Sequence, residues 1–287
     1  MEKKTAGESY KDDKSRGEIN IIMGRYKAVF SDIDGTLLDS THMILPDTKQ
    51  KIQEINRKGI PFILVSARMP RGMTGIRDEL GIRMPMVCYS GALVVDEKGE
   101  ILFSRNIELH MADQIYRSIQ KEKIDISFSL YSGNRWIASD PGNPWIRQES
   151  FITGVKPEIG DFTDLTVFEN IHKILCMGEP GKILRLERML QVKFPKLSAY
   201  RSKDTYLEIM SDQASKSNAV SILEMYLGIS RQEVIAFGDG HNDKDMLAYA
   251  GLGIAMGNAS EEVRKSADLV TDTNDREGLK KALDKYL

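Results

Sequence analysis

The sequence predicts an α/β protein, a doubly wound, Rossmann-like parallel sheet with an inserted α+β domain. Three observations predict it. Short β-branched apolar runs alternate with helical stripes from Tyr26 to Arg105 and again from Lys216 to the end. Between them, the strands read as antiparallel pairs. Acidic residues also follow directly on predicted strands, where open α/β sheets bind their ligands. At 287 residues the length suits two domains. The expected division is a core of residues 25–108 and 203–287, an insert of residues 109–202, and a lead of residues 1–24.

The lead is set aside because residues 2–18 hold ten charges in seventeen positions, five of each sign, with no hydrophobic period. A strand is predicted over 28–31, ending in acidic residues. In the helix that follows, Asp47 with Gln50 is a capping signal, Ile52 and Ile55 share a face, and Gly59 is the stop. Residues 60–66 are continuously apolar, as in a strand buried on both faces. Pro70 and Gly81 frame a short helix, 86–89 is a strand, and 92–103 a hairpin with its tip at 96–99.

In the insert, Ala112, Ile115, Tyr116 and Ile119 form a helical stripe, and 124–130 and 135–139 alternate like strands about a turn at 132–134. Residues 141–144 read as a loop, 171–177 as a strand, 183–192 as a helix, and 197–201 with 206–210 as a closing strand pair. A helix over 216–227 turns Ala219, Ile222, Leu223, Tyr226 and Leu227 inward and stops at Gly228. Strands at 234–237 and 252–255 and helices at 243–250, 260–266 and 278–286 complete the chain.

Composition narrows the function. A formal charge of 40 − 42 = −2 removes any general argument for nucleic-acid binding. No apolar run approaches a membrane span, and the charged N-terminus shows no secretory signal, so a cytoplasmic protein is expected. Cys88 and Cys176 sit in apolar stretches and read as buried small hydrophobes rather than a disulfide or a metal pair. The four histidines are scattered and read as solvated or structural, His241 alone lying near the acidic residues. Oligomeric state is not readable.

The chemistry lies after the strands. Asp32-Ile33-Asp34-Gly35-Thr36 follows the first, Ser66-Ala67-Arg68 the second, and Gly238-Asp239-Gly240-His241-Asn242-Asp243 a later one, while Lys216 opens a helix. Carboxylates at Asp32, Asp34, Asp239 and Asp243 in one crevice are costly without a cation, and an all-oxygen set suits Mg²⁺. A cation beside an aspartate, a lysine and small donors suits phosphoryl transfer, with an Asp as nucleophile and a second Asp moving the proton. A fixed four-residue pattern arises by chance about twice in a thousand chains of this length. D-x-D-G-T and G-D-x-x-N-D meet that test independently. Ser66 and Lys216 gain weight only from that company.

These motifs, with Met246, the run IAMGNA at 254–259 and Glu277-Gly278, resemble those of the haloacid-dehalogenase phosphatases, specifically the Cof-like subfamily with a type IIB cap. The resemblance implies Asp32 as nucleophile and metal ligand, and Asp34 as general acid/base whose main-chain carbonyl also reaches Mg²⁺. It makes Asp239 the remaining carboxylate ligand and sets Asp243 behind the metal or beside Lys216. Ser66, Lys216 and Asn242 would hold phosphoryl oxygens, Gly35 and Thr36 would support the turn, and the insert would close over a small phosphorylated substrate, a sugar phosphate foremost. The chain departs from the family at Ser66-Ala67-Arg68 (usually Thr-Gly-Arg), Ser90-Gly91-Ala92 (usually Asn-Gly-Ala) and Ser217 (usually Gly). These departures bear on rate and preference, not on the reaction. A phosphomutase and a non-catalytic phospho-ligand module are the alternatives; intact Asp32 and Asp34 argue against the second. Tyr131, Arg135, Trp136 and Trp145, on or near strands or loops of the insert, are candidates for setting specificity, with core aromatics and a solvated arginine as the plainer reading.

Overall fold

A computed structural model describes residues 24–287, so the lead lies, but for Gly24, outside the described residues. The strands are β1 (Ala28–Asp32), β2 (Phe62–Val65), β3 (Met86–Cys88), β4 (Leu93–Val95), β5 (Ile101–Ser104), β6 (Ser127–Ser132), β7 (Arg135–Ala138), β8 (Glu158–Ile159), β9 (Ile171–Met177), β10 (Leu197–Lys203), β11 (Tyr206–Ser211), β12 (Val234–Gly238), β13 (Leu252–Ala255) and β14 (Leu269–Val270). The fold is α/β with a parallel-stranded sheet at its core, as the alternation predicts. The chain forms two compact units, one ending at Phe62 and resuming as Glu224–Leu287, the other being Ile63–Leu223.

In the first unit the strands run β14-β13-β12-β1, all parallel. Every residue of β1, β12 and β13 is buried, which is why they read as unbroken apolar runs rather than alternating ones. Helix Pro46–Arg57 buries Ile52 and Ile55 and packs on helix Gly278–Tyr286. Its start corrects the expected cap. Leu45 is the N-cap, no side chain caps it, and Pro46 opens the first turn, where its missing N–H costs nothing. Tyr226, expected inward, is exposed.

The second unit holds β2-β3-β4-β5, parallel at β2–β3 and antiparallel after it. It also holds a six-stranded, mostly antiparallel sheet in the order β10-β11-β9-β6-β7-β8. Helices Leu109–Lys121 and Pro180–Lys193 cover one face of that sheet, where Leu130, Ile137, Ile174, Cys176, Leu207 and Ile209 form the core with Ile115, Ile119, Leu186 and Leu190. The other face is polar as well as buried, carrying Ser127, Ser129, Lys173 and Glu208. Helix Pro144–Thr153 stands where the sequence shows only the end of a loop: Asn143 caps it by accepting from Trp145 N–H, and Phe151 on it is exposed. Cys88 and Cys176 are free and buried, and burial pushes both thiols up.

Candidate active site

In the first unit, β1 and β12 are parallel neighbours, so their carboxyl ends set the two acidic motifs side by side. Asp32 closes β1, 7% exposed, and one carboxylate oxygen each of Asp32, Asp239 and Asp243 lies within 4.8 Å of the others. The turn after β1 is left-handed at Gly35 (φ +81°), and a Cβ there would stand 2.8 Å from the Asp239 carboxyl carbon. Only glycine allows that approach. The buried Thr36 hydroxyl donates to Asp239 Oδ1 at 2.7 Å. Asp243, fully buried, accepts from the Asp239 and Gly240 N–H groups at 3.0 and 2.8 Å, so its carboxylate shapes the loop that presents Asp239. A Cβ on Gly240 would meet Asn242 Oδ1 at 2.5 Å, which puts the Asn242 amide on the same loop.

Asp34 is the open member, its side chain 46% exposed. Its neighbour corrects the reading of the histidines. His42 Nδ1 is 3.9 Å from Asp34 Oδ1, whereas His241 faces Glu262 at 3.5 Å, exposed. Asn258, named in the sequence only as part of a run, donates to Gly35 C=O at 2.8 Å and to Asp239 Oδ2 at 3.3 Å, joining both acidic loops. An Asn between small residues just past a strand end was the available signal.

In the second unit, a group forms around Ser66 at the end of β2. Ser90 N–H donates to Ser66 C=O, Tyr89 N–H donates to Arg68 C=O, and Arg68 N–H donates to Ser66 Oγ at 3.2 Å. Tyr89 and Ser90 (both φ +51°) and Gly91 (φ +99°) make a run of left-handed residues, strain of the kind that collects at working sites. A Cβ on Gly91 would stand 2.5 Å from the Ser215 carbonyl carbon, so this loop abuts the start of the Lys216 helix. Lys216 is 1% exposed, rare for a lysine without a specific task. The structure thus gathers Asp32, Gly35, Thr36, Asp239, Asn242 and Asp243 in one unit, and Ser66, Ser90 and Lys216 in the other.

Two aromatics of the six-stranded sheet behave as packing. Tyr131 and Trp136 are buried and stacked at 5.7 Å, while Arg135 pairs with Glu158 at the surface.

Three carboxylates with one oxygen each within 4.8 Å of the others make an all-oxygen cluster that suits a hard divalent cation. No helix among the described residues is long and apolar enough to cross a membrane.

Residues 29–283 match the family described as haloacid dehalogenase-like hydrolase. A Haemophilus influenzae protein provisionally named a phosphatase is 41% identical over 88% of this chain and 95% of its own. A haloacid dehalogenase-like hydrolase from Bacteroides thetaiotaomicron superposes with a TM-score of 0.84 at 28% identity, covering 91% of this chain and 100% of that one. A subclass IIB sugar phosphatase of this superfamily shares the fold with a TM-score of 0.78 at 22% identity, over 90% of this chain and 98% of that one. Covered over nearly its whole described length, the chain belongs to the haloacid dehalogenase-like hydrolases and, within them, to the Cof-like phosphatases.

Proposed function

We propose that this phosphatase requires Mg²⁺ and hydrolyses small phosphorylated metabolites, sugar phosphates foremost, through an aspartyl-phosphate. The observation that carries the reading is the convergence of Asp32, Asp239 and Asp243 at the ends of adjacent parallel strands. Asp32 Oδ attacks phosphorus as the bond to the leaving oxygen breaks, and Asp34, open to solvent, gives that oxygen its proton. Water then attacks the same phosphorus, giving its proton to Asp34, and the bond to Asp32 breaks to release phosphate. Ser66, Lys216 and Asn242 are assigned to the phosphoryl oxygens.

Asp32, Asp239 and the Asp34 main-chain carbonyl would hold Mg²⁺, which when bound offsets the negative charge that Asp32 must otherwise bring against a phosphate. Residues 109–202 are proposed as the cap that excludes water and selects the leaving group. A screen of phosphorylated sugars, nucleotides and cofactors, with Mg²⁺ and again with chelator, tests the reading. Selective release of phosphate that stops on chelation is expected. Turnover indifferent to chelation, or a preference for nucleotides, contradicts it.

A further inference from the structure

We propose that Lys173 is a positioning residue for Ser66, acting through the Ala67–Arg68 peptide, and that it couples the phosphate loop to the six-stranded sheet. Lys173 lies on β9, 6% exposed. Its Nζ donates to Ala67 C=O at 3.0 Å and to Glu208 Oε2, on β11, at 3.3 Å, and stands 4.8 Å from the Tyr131 ring centroid. The peptide whose carbonyl Lys173 holds carries at its other end the Arg68 N–H, which donates to Ser66 Oγ. The order is therefore Glu208, Lys173, peptide, Ser66.

A charged donor on a carbonyl polarises the amide and strengthens its N–H as a donor, more so in a buried setting. With one lone pair of Ser66 Oγ taken by Arg68 N–H, the hydroxyl proton is left to point at an acceptor beyond the loop. The sheet side of the arrangement is fixed by strand pairing. Tyr131 on β6 and Lys173 on β9 are register partners, and β11 brings Glu208 along the other edge of β9. Burying an ammonium is costly unless it is paired and hydrogen-bonded, and here the Glu208 carboxylate, the Ala67 carbonyl and the rings of Tyr131 and Tyr89 do both. An ion pair alone needs no carbonyl. The use of this one, in the loop between Ser66 and Arg68, is what points to function.

The inference rests on the assignment of Ser66 to phosphoryl oxygens, and its test separates the two. Full-length variants are assayed with para-nitrophenyl phosphate and Mg²⁺, with inorganic phosphate as competitive inhibitor. Lys173→Met is expected to lower kcat/KM and raise the phosphate inhibition constant by about tenfold, the worth of one charge-assisted hydrogen bond. Lys173→Arg, which can reach the same carbonyl, is expected to restore most of both. In a Ser66→Ala background, Lys173→Met should change kcat/KM by less than about twofold, because the group it positions is gone.

Losses that multiply in the double variant, or wild-type kinetics in Lys173→Met, overturn the proposal while leaving Ser66 in place. Undiminished activity in Ser66→Ala overturns the Ser66 assignment and the proposal with it. Because Lys173→Met strands Glu208, Lys173→Met/Glu208→Gln is made alongside it, which removes both charges of the pair together. The same tenfold loss in that variant, with an unchanged melting temperature, supports the proposal. Wild-type rates there trace the loss to the stranded carboxylate and overturn it.

Discussion

A single methyl group measures how tightly the acidic loops are drawn together. Alanine at Gly35 brings a Cβ to 2.8 Å from the Asp239 carboxyl carbon, at a φ of +81° that side chains resist. Gly35→Ala is expected to cost at least about 1 kcal/mol of stability and, by displacing Asp239, about 100-fold in kcat/KM. Melting and steady-state kinetics check both, and a fully active variant would mean that Asp239 is not held where activity needs it. The two aspartates of the first loop separate by chemistry. Asp32→Asn is expected to lose both turnover and intermediate. Asp34→Asn is expected to lose about 10²–10⁴-fold while still being phosphorylated by an ester with a good leaving group, so that a phosphoryl adduct accumulates on the Asp32 peptide in mass spectra. No adduct in Asp34→Asn together with appreciable activity in Asp32→Asn contradicts the roles assigned. These residues were legible because D-x-D-G-T is a local pattern at a strand end. Asn258 was not, because its partner Gly35 lies 223 positions away and an asparagine on a loop has many uses.

Among the elements, the β6–β7 turn shows what periodicity misses. The turn at 132–134 was legible, but not what it grips. Gly133 C=O accepts from Tyr89 Oη at 2.7 Å, Asn134 Oδ1 accepts from Arg71 N–H at 2.9 Å, and Gly133 N–H donates to His172 Nδ1 at 3.1 Å. Nδ1 is therefore the unprotonated nitrogen, Nε2–H is left for Ser104 Oγ, and the neutral ring stacks on Tyr89 at 5.3 Å. Burial lowers the His172 pKa to about 4 from 6.5. In the unfolded chain the ring protonates first as pH falls, so its contribution to stability is intact above about pH 6.5, falls between 6.5 and 4, and is fully lost below 4. The total is about 3 kcal/mol. The difference in unfolding free energy between wild type and His172→Gln, measured by denaturant titration from pH 7.5 to 4, should follow that curve, groups such as the raised Glu149 cancelling in the difference. A difference independent of pH contradicts it. Helix Pro144–Thr153 escaped the reading because its sequence lacks a clean apolar stripe, with Ile146 buried but Phe151 and Ile152 exposed. The expected Asp47 cap failed because Pro46 already fixes the helix start.

At the scale of the whole molecule, α/β alternation and the antiparallel texture between its two stretches were legible because fully buried parallel strands and half-polar antiparallel strands leave different periods in the sequence. The polar face carrying Lys173 and Glu208 was not, because a buried lysine looks like any alternating polar residue until its partners are known. The molecule's net charge of −2 supplies no large field, so the electrostatic strain is local, concentrated where Asp32, Asp239 and Asp243 meet. A cation bound only by the folded chain stabilises it by mass action, about 2.7 kcal/mol at a hundred times its dissociation constant. For a protein of this size that is a rise in melting temperature of roughly 5–10 °C. Mg²⁺ is expected to raise the melting temperature of chelator-treated protein in that way, and Ca²⁺, larger and less demanding of octahedral geometry, is expected to stabilise it without supporting turnover. Asp239→Asn removes one ligand, so its response to Mg²⁺ should vanish. A wild-type melting temperature indifferent to Mg²⁺, or an Asp239→Asn variant that still responds in full, would place the cation elsewhere.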